Sequence, residues 1–121
     1  MSAFIMFRFK NGGGGKLNIP KQIRIGSMNY DVKISNNVIL EENKQCYGHI
    51  DFNRHSIMID NTLQDAQGQE QTFLHELIHG IVNERNFDLK GADEETIIDE
   101  LATGLHQVIK DNPFVFQTIK Q

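Results

Sequence analysis

The most informative stretch of this chain is TFLHELIHGI, residues 72–81. Its apolar residues recur at steps of three and four, which is the spacing of an amphipathic helix with one buried face. His75 and His79 are four residues apart, so a helix would place them about one turn apart on the same face. Both imidazole rings could then reach a single point.

Two neutral histidines with this spacing suit a tetrahedral zinc site that keeps one position open. Glu76, next to the first histidine, could take the proton from a water molecule that zinc polarises. About 0.01 such patterns are expected by chance in a chain of this length and composition. The pattern therefore predicts that His75 and His79 bind zinc and that Glu76 is a general base. The alternative is two surface histidines beside a solvated glutamate.

Length and composition exclude several classes of protein. A chain of 121 residues with 39% hydrophobic and 23% charged residues is typical of one soluble globular domain. A net charge of −4 argues against a nucleic-acid partner, since phosphate binding needs a basic surface. The sequence has no apolar run long enough to span a membrane and no signal-peptide pattern. Cys46 is the only cysteine, which excludes an internal disulfide and favours a cytoplasmic location.

The sequence predicts strands in the first half of the chain. Residues 1–18 contain the run Gly12–Gly15 and are expected to be a flexible appendage, leaving residues 19–121 as a single domain. Alternation of apolar and polar residues predicts a hairpin over 22–35 and a second over 46–60. The segment 38–43 fits either a short helix or a loop.

The sequence predicts two helices in the second half of the chain. The first helix is expected over 66–86, with Asp65 as its N-cap, and carries the histidines. The second is expected over 94–110, with Asp93 as its N-cap. Gly80 and Gly104 fall inside these helices, where they either permit close packing or are merely tolerated. Strand pairs followed by helices predict an α+β fold, a small and mostly antiparallel sheet with two helices packed on one side.

With these elements assigned, the chain resembles the ImmA/IrrE family of zinc metallo-endopeptidases, in the short form found in phages and mobile elements. The similarity covers residues 20–112 and rests on three segments, YGHIDFNRHSIMID, TFLHELIHGIVNE and EETIIDELATGLHQVIKDNP. The resemblance implies a minimal zincin-like fold. It also implies one Zn²⁺ held by His75, His79 and an acidic residue of the next helix, which corresponds to Glu95.

The third ligand has several chemical candidates in that helix, namely Glu94, Glu95, Asp99 and Glu100. Catalytic zinc sites usually have three protein ligands, and no histidine follows His79 until His106. Position on the helix favours Glu95, with Asp99 one turn away as the acceptor that orients a ligand histidine. The alternative is that these acidic residues bind no metal and lie here only because the positive N-terminal end of the helix dipole favours them.

The function expected from this site is zinc-dependent hydrolysis of a peptide bond in a protein substrate. The resemblance implies that this substrate is a transcriptional repressor of a phage or mobile element. One alternative is a non-catalytic binding module stabilised by zinc, and another is a protein that is silent until a partner completes the cleft. An extended substrate is expected to add to Ser56–Asp60 as an edge strand, unless that strand lies inside the sheet.

Overall fold

The computed structural model describes residues 17–117, which form six strands and two helices. The strands are β1 (Gln22–Ile25), β2 (Met28–Ser35), β3 (Ile39–Glu41), β4 (Lys44–Cys46), β5 (Gly48–Asp51) and β6 (Ser56–Asp60), and the helices are α1 (Ala66–Arg85) and α2 (Glu94–Asp111). The fold is α+β, as the sequence predicts.

Four strands form the main sheet in the order β1-β2-β6-β5. The two predicted hairpins are confirmed, because β1 pairs antiparallel with β2 and β5 pairs antiparallel with β6. They are joined through a parallel pairing of β2 with β6, in which Val32 faces Ile57. The sheet is therefore mixed, with two antiparallel pairings out of three.

The segment 38–43 is neither a helix nor a loop, so that interpretation was wrong. β3 and β4 form a separate two-stranded hairpin, in which Ile39 faces Cys46. Glu42 and Asn43 make its turn with φ angles of 53° and 65°. Positive φ at both central residues is the geometry of a two-residue hairpin, and a glutamate at the first of them is a weak signal of it.

The two edges of the main sheet differ. The outer edge of β1 is occupied by amide side chains of α2. Arg24 N donates to Asn112 Oδ1 at 3.0 Å, and Gly26 N donates to Gln107 Oε1 at 2.7 Å. Both amides also donate to the carbonyl oxygen of Arg24. At the other side, no described strand pairs with the outer edge of β5.

This arrangement corrects the prediction that Ser56–Asp60 is an edge strand. That segment is β6, which lies between β2 and β5 and has both of its edges paired. Residue alternation identifies a strand and its buried face, but it does not tell which strand lies at the edge. The open edge beside α1 belongs to β5.

The helix boundaries agree closely with the prediction. Asp65 caps α1 by accepting a hydrogen bond from Gly68 N, and Asp93 caps α2 by accepting one from Thr96 N. α1 ends at Asn86, whose left-handed φ of 52° suits an asparagine at a helix C-terminus. These caps satisfy backbone donors that a helix leaves without partners.

The core lies between one face of the sheet and the two helices. Its buried residues come from β1, β2, β6, both helices and the segment after α2, and they are Ile23, Ile25, Tyr30, Val32, Ile57, Ile59, Phe73, Leu77, Ile81, Val108 and Val115. Close packing needs the two helical glycines. A Cβ on Gly80 would lie 2.8 Å from Ile25 Cδ1, and one on Gly104 would lie 2.4 Å from Ile81 Cγ2.

The N-terminal boundary of the packed structure falls earlier than predicted. Leu17 is buried, and Asn18 N donates to the carbonyl oxygen of Val115 at 3.4 Å. These two residues were expected to belong to the appendage, yet they pack beside the end of α2. The rest of the predicted appendage, residues 1–16, lies outside the described residues.

We expect Gly104→Ala to lower the free energy of unfolding by up to about 2 kcal/mol. Overpacking of a rigid core costs about 1–3 kcal/mol, and the better helix propensity of alanine offsets about 1 kcal/mol of it. Thr103→Ala, at an exposed position of the same helix, is the control and should stabilise by a few tenths of a kcal/mol. Urea denaturation measures both, and a stabilised Gly104→Ala would show that the close approach is not required.

Candidate active site

The two histidines of α1 lie with their ring nitrogens together. His75 Nε2 and His79 Nε2 are 3.2 Å apart, and the ring planes are inclined at 70°. Two ligand nitrogens of a tetrahedral zinc ion are separated by about 3.3 Å, given the usual bond length of about 2.0–2.1 Å. Both side chains are exposed at the surface of α1. In the metal-free chain, the same separation allows one ring to donate a hydrogen bond to the other.

Glu76 differs from both histidines because its side chain is buried, with 7% of the residue exposed. Within residues 17–117 its carboxylate has no hydrogen-bond or ion-pair partner. Burial raises the pKa of this carboxyl group, while the nearby His75, His79 and His49 lower it. A buried carboxylate without a partner is costly to a fold, so such groups occur mainly where chemistry needs them.

Gly48, at the start of β5, allows α1 to lie close enough to bury Glu76. A Cβ at this position would lie 2.5 Å from Thr72 Cγ2 and 3.3 Å from Glu76 Oε2. Thr72 precedes Glu76 by one helical turn, so both side chains face this glycine. Sequence reasoning missed the role of Gly48, although a glycine inside a strand pattern is a known sign of close backbone approach.

Gln64 connects the three segments that surround the site. Its Nε2 donates to the carbonyl oxygens of Tyr47, at 3.1 Å, and Asp60, at 2.7 Å. Its Oε1 accepts a hydrogen bond from Thr72 Oγ1 at 2.8 Å. The amide therefore ties the first half of α1 to the beginning of β5 and the end of β6. No motif in the sequence marks this role.

Asp60 fixes the turn between β6 and α1. Its carboxylate is fully buried and accepts hydrogen bonds from Thr62 Oγ1 and Leu63 N. Burial alone would raise the pKa of this group, but the hydrogen bonds from Thr62 and Leu63 outweigh it and hold the pKa below its ordinary value. The start of α1 is thereby set against the sheet.

A cavity of about 720 Å³ adjoins His75 and Glu76 on the side toward the N-terminus of α1. Its volume falls in the usual range of ligand pockets, about 300–1,000 Å³. One wall is the start of β5, another is the loop before α1, and the floor is one face of α1. The lining residues are Tyr47, Gly48, Leu63, Gln64, Asp65, Gly68, Gln71, Thr72, His75 and Glu76.

A second histidine–carboxylate pair lies near the site. His49 Nδ1 and Glu41 Oε2 are 2.8 Å apart, and the pair joins β5 to the β3–β4 hairpin. Both residues are close enough to Glu76 to act on its pKa, which His49 lowers and Glu41 raises. The sequence does not reveal this pair, because Glu41 lies in a segment for which no strand is predicted.

The second helix does not bring Glu95 to the histidines. The connection 86–93 turns the chain back. Arg85 Nε donates to Glu100 Oε1 at 2.7 Å, and Gly104 lies against Ile81, so α1 and α2 are antiparallel. His79 precedes Arg85 by six residues, and Glu95 precedes Glu100 by five. At a helical rise of about 1.5 Å per residue, His79 and Glu95 are about 16 Å apart along the helix axes.

The third ligand is therefore not assembled in this arrangement. Within residues 17–117, no three side chains of His, Cys, Asp or Glu are close enough to hold a metal ion together. Glu95 and Asp99 are exposed, and Glu100 is paired with Arg85. The roles of Glu95 as a ligand and of Asp99 as the partner of a ligand histidine stay predictions.

Comparison of the chain with known protein families, with curated proteins and with solved structures found no match in any of the three. Membership of the ImmA/IrrE family therefore stays a prediction that rests on the sequence motifs. The structure itself establishes an α+β fold with a small mixed sheet. Neither helix in the described part of the chain is long and apolar enough to cross a membrane.

We expect Glu76→Gln to make the metal-free protein more stable at neutral pH. The folded-state pKa of Glu76 is raised above the ordinary value of 4.5, so the buried carboxylate destabilises the fold as the pH rises through that value and beyond. At about pH 3 and below the group is protonated in both states, and the two proteins should have equal stability. Thermal denaturation in the presence of a chelator, from about pH 3 to about pH 8, measures the difference.

Glu42→Gln is the control, because this glutamate is exposed at the β3–β4 turn. Its stability relative to the parent should not increase as the pH rises. If Glu76→Gln and the parent protein have the same stability at every pH, the buried carboxylate does not destabilise the fold and the assignment is wrong.

Proposed function

We propose that this protein is a zinc-dependent endopeptidase in which His75 and His79 bind the metal and Glu76 is the general base. The observation that carries the proposal is the pairing of two features on α1. The Nε2 atoms of the histidines have the separation of tetrahedral zinc ligands, and the adjacent carboxylate is buried without a partner among residues 17–117. The sequence resemblance to the ImmA/IrrE family points to the same chemistry.

The residues present fit zinc in kind. Imidazole nitrogens are common zinc ligands, and both rings are accessible at the surface of α1. Bound zinc would polarise the attacking water and the carbonyl group of the scissile peptide bond. The third protein ligand would come from α2, and Glu95 is the residue that the resemblance selects.

Glu76 would move the proton during the reaction. Its carboxylate accepts a proton from the water as the water oxygen bonds to the carbonyl carbon. It then gives that proton to the amine nitrogen as the carbon–nitrogen bond breaks. The pKa of Glu76, raised by burial, suits both halves of this cycle, because a base with a pKa nearer to neutral pH holds and releases the proton more evenly.

The open edge of β5 is the place where an extended substrate would lie. Gly48 and Ile50 belong to this edge, and Gly48 adjoins the carboxylate of Glu76. Strand addition at an open edge supplies affinity through backbone hydrogen bonds, independent of substrate sequence. A cleft of this form accepts the interior of a polypeptide chain. The identification of the substrate as a repressor of a phage or mobile element rests on the resemblance alone.

The structure gives little support to the alternative of a zinc-stabilised binding module. A structural metal ion stabilises a small fold by joining separate elements. His75 and His79 belong to one helix, and the core between sheet and helices is packed without them. A buried Glu76 next to the metal ligands would also have no purpose in such a site.

The central test combines metal content with cleavage. We expect protein purified without chelators to contain one zinc ion per chain and to cleave internal bonds in a library of unstructured peptides, analysed by mass spectrometry. Glu76→Gln should keep the zinc and lose at least about 100-fold in rate, the lower range for a positioned general base.

Leu63→Ala, which changes the cavity wall and leaves the three motif residues intact, is the control for general damage to the cleft. It should keep cleavage while changing which peptides are cut. Zinc-loaded parent protein that cleaves no peptide, or a Glu76→Gln variant that cleaves as fast as the parent, would contradict the proposal.

A comparison of Glu95→Ala with Glu100→Ala tests the third ligand. Loss of a direct ligand should weaken zinc binding by more than the roughly 10–100-fold that is typical when only a supporting hydrogen bond is lost. We expect that loss in Glu95→Ala, while Glu100→Ala breaks the ion pair with Arg85 and keeps its affinity. Competition with a chromogenic chelator measures both constants. Unchanged affinity in Glu95→Ala would show that this assignment is wrong.

A further inference from the structure

An apolar stripe runs along one flank of α2, beside the face that packs on the core. It consists of Ile98, Ala102, Leu105 and Ile109, which recur at steps of four, three and four and so share one face of the helix. Half of Ile98 and 42% of Ile109 are exposed, whereas Leu105 packs partly against the core and Gly104 and Val108, farther round the helix, are buried. Three residues beyond the end of the helix, Phe114 has 73% of its area exposed.

Apolar side chains in a continuous row are unusual on a surface that contacts only water. Single exposed hydrophobic residues need no explanation, but contiguous ones mark a surface that binds something. A different face of α2 makes the contacts with α1 and β1 that hold the helix in the domain. The α2 stripe is therefore available to a further apolar segment.

Such a segment exists in the same chain, outside the described residues. The first ten residues, MSAFIMFRFK, contain six large apolar side chains, two basic residues and no acidic one. We call residues 2–10 the N-terminal arm. α2 itself carries five carboxylates and one lysine, so its charge is opposite to that of the arm.

The chain joins the described structure at the right place for the arm to reach the stripe. Leu17 is buried, and Asn18 N bonds to the carbonyl oxygen of Val115, four residues beyond the end of α2. The chain therefore leaves the packed domain beside Phe114, at the C-terminal end of the stripe.

The intervening chain is long enough. Residues 11–16 separate the arm from Leu17, and six residues can span up to about 20 Å. The stripe from Ile98 to Ile109 is about 16 Å long at the rise of an α-helix. A tether this short holds its end at an effective concentration of about 1 mM, well above micromolar protein, so the chain's own arm outcompetes the arm of a second copy.

We propose that the N-terminal arm docks on the α2 stripe of the same molecule, with its apolar side chains against Ile98, Leu105 and Ile109. The basic residues Arg8 and Lys10 lie toward the carboxylates of α2. The arm then completes the apolar layer outside α2 and belongs to the folded domain. This proposal is independent of the peptidase function, because it involves neither the histidine motif nor the cavity.

Paramagnetic broadening in the full chain tests it. A nitroxide is attached at Ser2→Cys in a Cys46→Ser background, and amide signals are measured by NMR on ¹⁵N-labelled protein. We expect the amides of 98–109 and Phe114 to lose most of their intensity, while those of 52–55, in the turn between β5 and β6, keep theirs. Adding Ile109→Asn should restore the α2 signals, whereas Leu40→Asn, exposed on the β3–β4 hairpin, should not.

Three results would overturn the proposal, provided that the unbroadened spectrum is native. The first is no selective broadening on α2. The second is broadening centred on Lys33–Ser35, where β2 extends beyond β1, because the arm would then be adding to the sheet. The third is equal broadening in a mixture of ¹⁵N-labelled protein without nitroxide and unlabelled protein with it, since the arm would then dock on a second copy.

Discussion

The close contact between α1 and the sheet governs most of what this protein can do. The helix crosses β1 and β5 at distances that a methyl group would prevent, at Gly80 against Ile25 and at Gly48 against Thr72. If either glycine carried a side chain, the helix would have to move outward. Because Glu76 lies on the side of α1 that faces Gly48, this contact buries its carboxylate and leaves His75 and His79 at the surface.

Within one helical turn, Glu76 is buried whereas His75 and His79 are exposed, and this division determines the chemical properties of the site. The carboxylate is desolvated and keeps its proton more readily, whereas the imidazoles remain accessible to a metal ion from solution. Gln64 and Asp60 maintain the division, since they hold the start of α1 against the two strands beside it. Polar residues outside the motif therefore set the properties of the residues inside it.

Much of this could be read from the sequence, and the failures share one cause. The helices, their caps at Asp65 and Asp93 and the two main hairpins follow from local signals within a few residues. The parallel pairing of β2 with β6, the covering of β1 by Gln107 and Asn112, and the His49–Glu41 pair join residues that are far apart in the chain or in unassigned segments. Periodicity carries no information on such contacts, so strand order and the open edge were missed.

The same limit applies to the candidate site. The motif spacing predicted that His75 and His79 would meet, because both lie on one helix. The position of Glu95 depends on how two helices slide against each other, and the Arg85–Glu100 contact sets that register in a way that residue spacing does not reveal. Ligands on one element are predictable from sequence, whereas ligands on two elements require the packing between them.

The unequal edges of the main sheet have a consequence for how copies of this protein can meet. Side-chain amides bond the backbone groups of Arg24 and the N–H of Gly26, so a second sheet cannot pair with that end of β1. The outer edge of β5 has no such cover within residues 17–117, and two molecules joined there would each cover the groove next to the other's Glu76. Edge-to-edge pairing would thus be a form of mutual inhibition, and a bound peptide would keep the protein monomeric.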